Sequence, residues 1–141
     1  MIQRKQTIWL LLASITGFLI TQIPLYAATL AGEAIRKFIA TESLLLFAIA
    51  IIAALLGLIT IFLYKNRPLQ IKLSLLGFLV SIGFVALEIW KIDEFREANV
   101  SLKGSYYWGA LLPIAMAAFF FLAIRSIRKD EKLVKSLNRL R

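Results

Sequence analysis

From Ser43 to Tyr64 the chain runs for 22 residues without a charged side chain, and seven Leu, five Ile and two Phe make up most of that run. A helix crosses the roughly 30 Å hydrocarbon core of a bilayer with about 20 apolar residues. At roughly −0.3 to −0.6 kcal/mol for each of those fourteen side chains, insertion is favoured by about 4 to 8 kcal/mol. Lipid is therefore the expected solvent. Three further runs approach this length, at residues 8–25, 69–90 and 106–124. The run at 69–90 is the least comfortable, because only residues 73–87 lie between Lys72 and Glu88, about 22 Å of helix. Lys72 is expected to snorkel toward the headgroups along its aliphatic stem.

Composition agrees with this reading. Apolar side chains make up 60% of 141 residues and the mean hydropathy is +0.81, which leaves too little polar surface to cover a water-soluble domain. Neither Cys nor His is present, so disulfides, thiolate chemistry and the commonest metal ligand are excluded, and no cofactor is expected. A formal charge of +9 suits nucleic acid only when it is gathered on one face of a soluble module. Here the cations lie between apolar runs and read as membrane orientation. Twelve of the 17 Lys and Arg fall before the first span, around the second turn and after the fourth span; the other five, Arg36, Lys37, Lys91, Arg96 and Lys103, share their side with six acids. The positive-inside bias places both termini in the cytoplasm. Arg4 and Lys5 ahead of TIWLLLASITGFLI also resemble the start of a signal peptide, but Tyr26 and Leu25 stand where cleavage after Ala28 or Ala27 wants a small residue. The first helix is expected to be retained.

The second and third spans are joined by YKNRPLQ, where Asn66 suits the end of one helix and Pro68 the first turn of the next. So short a connection forces an antiparallel hairpin. The outer loops are longer. Ala31, Ala34, Ile35 and Phe38 recur at helical spacing, as do Ile89, Ile92 and Phe95, so both loops are expected to lie as amphipathic segments along the outer interface. Trp9 and Tyr64 fall at inner span ends and Tyr26, Trp90, Tyr106, Tyr107 and Trp108 at outer ends, the positions of an aromatic belt. Helices in lipid associate through close backbone approach. Ala13, Gly17 and Thr21, then Ala53, Gly57 and Thr60, then Ser74, Gly77 and Ser81 form small-residue stripes expected to face the bundle interior. Pro113 is expected to bend the fourth span near Gly109.

An ionisable group at membrane depth is costly and draws attention to function. Glu88 is the candidate here, able to hold a cation or carry a proton, although Lys91 one turn on makes a solvated interfacial ion pair the blander reading. Gln22 beside Pro24 is a weaker polar spot in the first span. Neither belongs to a catalytic constellation: no His, Cys or Gly-rich phosphate cradle accompanies the acids, and enzyme activity is not expected. After Ile124 the chain turns abruptly basic. Arg125, Arg128, Lys129, Lys132, Lys135 and Arg139 occupy one arc of a projected helix, with Leu133, Val134, Leu137 and Leu140 on another and Asp130 intruding. At roughly 1 kcal/mol for each cation near an anionic leaflet, this tail is expected to lie on the inner surface. Either it anchors the last span or it docks a cytoplasmic partner.

The opening MIQRKQTIWLLLA, the inner turn FLYKNRPLQIKL and the tail AIRSIRKDEKLVKSLNRLR, in this order around four apolar spans, resemble a bacterial family of small integral membrane proteins catalogued as a domain of unknown function. Lys5 stands where that family's opening carries an apolar residue. The resemblance implies a bacterial cytoplasmic membrane and a shared architecture, and no activity. The expected fold is thus all-α: one domain, residues 1–141, of four transmembrane helices in an up-down bundle, with a basic amphipathic helix at 125–141 on the cytoplasmic face. The residues favour a structural or interaction subunit that binds anionic lipid headgroups, another membrane protein or a second copy of itself. A small-solute or ion carrier using Glu88 is the alternative, and nucleic acid is not an expected partner.

Overall fold

The computed structural model describes residues 3–29, 34–98 and 103–139. Within them are four helices, α1 (Gln3–Ile20), α2 (Leu44–Phe62), α3 (Arg67–Ala98) and α4 (Leu112–Arg139), and three short strands, β1 (Tyr26–Thr29), β2 (Ile35–Phe38) and β3 (Lys103–Tyr106). Single 3₁₀ turns at Ala40–Glu42 and Trp108–Leu111 lead toward α2 and into α4. By length and composition α2, α3 and α4 can each cross a membrane, and Lys5–Ile20 of α1 is a shorter apolar helix.

Each helix packs against its neighbour in sequence, and α4 closes back onto α1. Gly17 of α1 meets Ala54 of α2, while Ser14, one turn earlier, meets Gly57, so the two helices run antiparallel. Trp9 stacks on Phe119 of α4 with ring centroids 6.1 Å apart, and Gly109, just ahead of α4, packs on the Pro24 carbonyl beyond the other end of α1. Helix α1 ends where it does because Pro24 has no N–H to give and disfavours helical backbone at Ile23. Leu25 then starts a new pattern: its N–H donates to the Phe38 carbonyl at 2.8 Å, and its carbonyl accepts from the Tyr107 N–H at 2.9 Å.

Those two bonds open an antiparallel sheet of order β2-β1-β3, with Tyr26 opposite both Phe38 and Tyr106 and Thr29 opposite both Ile35 and Lys103. The sheet caps the bundle end away from the termini. Helices α3 and α4 are about 48 and 42 Å long, each more than the roughly 30 Å of a hydrocarbon core. The surplus of α3 carries Phe95 into contact with the sheet. There Phe95 meets Phe38 at 5.1 Å and Tyr26 edge-on at 6.4 Å, and the Arg36 guanidinium lies 5.5 Å from its ring centroid. The surplus of α4 lies at the opposite end, where Gln6 Nε2 of α1 donates to Asp130 Oδ2.

Several expectations are corrected. The chain is not all-α: the segment read as an amphipathic helix around Ala34, Ile35 and Phe38 is strand β2, with Ala31 outside the described residues. Beyond the third span the helical spacing was real, since α3 continues without a break to Ala98. Tyr26 is not a belt residue but is buried among Phe95, Phe38 and Tyr106. Pro113 does not bend a helix, because α4 begins at Leu112 and Pro113 sits in its first turn, where an N–H has no partner anyway. Asn66 caps the start of α3, its Oδ1 accepting weakly from the Leu69 N–H at 3.4 Å, rather than closing α2. The basic tail is not a separate helix laid on a surface but the unbroken continuation of α4.

Candidate functional site

The middle of the bundle is filled by small side chains at close range. A Cβ on Gly17 would lie 2.9 Å from the Ala54 Cβ, one on Gly57 would strike Ser14 Oγ, and one on Gly77 would lie 2.5 Å from Phe120 Cε1. Three hydroxyls in this layer are satisfied by their own helices: Ser14 Oγ donates to the Leu10 carbonyl at 3.0 Å, Thr60 Oγ1 to Leu56 at 2.5 Å and Ser81 Oγ to Gly77 at 2.7 Å. Such back-bonding removes the need for an interhelical or water partner. Ala13, Thr21, Ala53, Ser74 and Ser81 are likewise buried. Ser74 Oγ and Gln70 Oε1, one turn apart on α3, are buried without a hydrogen-bond partner, although Gln70 Nε2 reaches the Thr60 carbonyl at 3.2 Å.

Glu88 lies on α3 about 15 Å from its sheet-side end, at 3% exposure and with no hydrogen-bond partner for Oε1. Lys91 does not pair with it. The Lys91 ammonium is held by Glu94 at 2.6 Å and stands 5.1 Å from the Trp90 ring centroid. Glu88 instead lines a groove of about 390 Å³ between α3 and the start of α4, walled by Val85, Ile89, Tyr106, Tyr107, Trp108 and Ile114. Most of these walls are exposed; Trp108 is 57% and Ile114 54% accessible. The groove is apolar and aromatic around one carboxyl group. Gln22 is elsewhere in character: it lies in the turn after α1, exposed, with Nε2 3.3 Å from Thr21 Oγ1. The two polar residues singled out in the sequence therefore form no joint site.

A second, more open cleft of about 710 Å³ lies between β2, the start of α2 and the end of α3, with Arg36, Glu42, Lys91 and Glu94 around Phe38 and Phe95. Arg36 and Glu42 approach to 3.8 Å across it. At the other end of the molecule Arg125, Arg128, Lys129, Lys132 and Lys135 are all exposed, and Lys135 pairs with Glu131 at 2.7 Å. The side chain of Arg139 lies outside the described residues. The Gln6–Asp130 contact beneath this basic face joins two residues 7% and 8% exposed, and sequence reading missed it. The signal was present, since Asp130 continues the buried stripe Met116, Phe120, Ala123, Ile127 and Gln6 precedes Leu10, Ala13 and Gly17 at the same helical spacing.

Three long apolar helices, a close-packed interior and charge confined largely to the two ends give the chain the make-up of a multi-pass helical membrane protein. The family model described as Domain of unknown function (DUF4293) matches residues 2–140, and the chain belongs to that family. No curated protein and no solved structure matches it.

Proposed function

We propose that the protein is a non-enzymatic interaction subunit of a bacterial cytoplasmic membrane, with four transmembrane helices in an up-down bundle and both termini cytoplasmic. The observation that carries this reading is the closed interior. Gly17–Ala54, Ser14–Gly57 and Gly77–Phe120 fill the space between helices, and the Ser14 and Ser81 hydroxyls bond to their own backbone, which suits a scaffold better than a solute path. The exposed cations Arg125, Arg128, Lys129, Lys132 and Lys135, with Arg139, would hold anionic headgroups at the inner leaflet. The sheet and its charged cleft offer a surface to a membrane-protein partner or a second copy on the other side.

Crosslinking in native membranes, followed by purification in mild detergent, tests the proposal: a specific protein partner or a defined homo-oligomer is expected. A monomer recovered with neither partner nor anionic lipid would end it. One observation favours a second reading, a proton or cation carrier, namely that Glu88 lines a groove open to the outside. Liposome flux that falls to background on Glu88→Gln would support the carrier and displace the scaffold.

A further inference from the structure

A buried carboxyl with an unpartnered oxygen is costly unless something donates to it. Glu88 Oε1 accepts no hydrogen bond from the described residues, and the cation one turn away is committed to Glu94 at 2.6 Å. The groove that reaches this carboxyl is otherwise built of hydrocarbon and aromatic faces, with Tyr106, Tyr107 and Trp108 at one end and Val85, Ile89 and Ile114 along its length. Aromatic faces beside a carboxylate attract an ammonium group, through the ring quadrupole and through charge. The apolar length beyond them attracts an acyl chain. Trp108 in the groove wall and Trp90, next to Ile89 in sequence, are exposed, as suits residues at headgroup depth.

We infer that this groove is a binding site for an amine-headed phospholipid, whose primary ammonium donates to Glu88 and whose acyl chain lies along Val85, Ile89 and Ile114. The inference rests on the reading of the chain as a membrane-resident interaction subunit, and it assigns that subunit a lipid class at a site far from the basic tail. Charge complementarity selects the occupant. A glycerol headgroup brings no cation to the carboxyl and the aromatic faces, and a choline headgroup has no N–H to give to Oε1.

The test is native mass spectrometry of the protein released from nanodiscs of equal phosphatidylethanolamine and phosphatidylcholine. Retention of phosphatidylethanolamine over phosphatidylcholine by about tenfold is expected, the ratio one charge-assisted hydrogen bond carries. Glu88→Gln, which keeps the shape and removes the charge, is expected to abolish the preference. Ala110→Phe, which fills the groove while leaving the carboxyl in place, is expected to lower retention of both lipids. Circular dichroism and monodispersity verify that each variant is folded. Equal retention of the two lipids by the unaltered chain, or an unchanged preference in Glu88→Gln, would overturn the inference. If either result came together with a specific crosslinked partner, the interaction reading would survive and the lipid site alone would fall.

Discussion

Replacing Gly57 with Ala puts a methyl group where Ser14 Oγ already lies and 3.1 Å from the Leu10 carbonyl oxygen. The Ser14 side chain has little room to yield, being 1% exposed and bonded to that same carbonyl at 3.0 Å. Overpacking by one methylene-sized group costs about 1–3 kcal/mol, against which Ala returns up to about 1 kcal/mol of helix propensity. A net loss of about 1–2 kcal/mol is expected. Ser14→Ala alone removes one bond within a helix whose acceptor keeps its backbone partner, a loss under about 1 kcal/mol. In the double variant the Ser14 oxygen is gone and the Ser14 Cβ stands 3.4 Å from the new methyl, an ordinary contact, so that only the 3.1 Å approach to the Leu10 carbonyl oxygen stays tight. The two changes should therefore couple by about 1 kcal/mol, within the range seen for touching residues. Gly83, with no atom within 4 Å of an added Cβ, is the control, and Gly83→Ala should be neutral or slightly stabilising. Reversible unfolding in mixed micelles, followed by far-UV circular dichroism as the mole fraction of dodecyl sulfate rises, measures all four variants. A Gly57→Ala variant as stable as Gly83→Ala, or a double variant costing the sum of the singles, would refute the α1–α2 contact.

Asp130→Ala leaves the buried Gln6 amide without its acceptor and should cost about 1–3 kcal/mol in the same assay; Asp130→Asn, which keeps an acceptor oxygen, should cost less, and Glu131→Ala, which breaks only the exposed pair with Lys135, under about 1 kcal/mol. Phe95→Ala removes the ring shared by Tyr26 and Phe38 and should cost about 3 kcal/mol or more. Hydrogen exchange should locate that loss in the sheet, with faster exchange at β1 and β2 amides and no change in the Gly17–Ala54 region.

The long apolar helices were legible because a run such as Ser43–Tyr64 has one solution in lipid, and because small residues recur at the helical period wherever backbones meet. Their ends were less so. The spacing of Ile35 and Phe38 fits a helix, whereas in a strand the two face opposite sides, as their exposures of 69% and 6% show; what decides for the strand is its pairing with β1, which in turn pairs with the distant β3. Pro113 looked like a break within a helix until the 3₁₀ turn at Trp108–Leu111 moved the start of α4 beside it. Glu88 was visible as an ionisable group near an interface. That its neighbour Lys91 turns to Glu94, leaving the carboxyl over an aromatic groove, depends on which way each residue faces around α3. Asp130 read as an intruder in a basic tail because its partner Gln6 lies at the far end of the sequence.

Orientation in the bilayer is open to one direct measurement, since the chain contains no Cys and single cysteines can be placed without background. Thr41 and Ser105 are exposed at the sheet end, and Asn66 and Ser136 at the other. In spheroplasts of a bacterial host, Thr41→Cys and Ser105→Cys should react with a membrane-impermeant maleimide from outside, whereas Asn66→Cys and Ser136→Cys should react only after permeabilisation. Labelling of Asn66→Cys and Ser136→Cys on opposite sides, or recovery of the protein from the soluble fraction without detergent, would contradict the four-span topology.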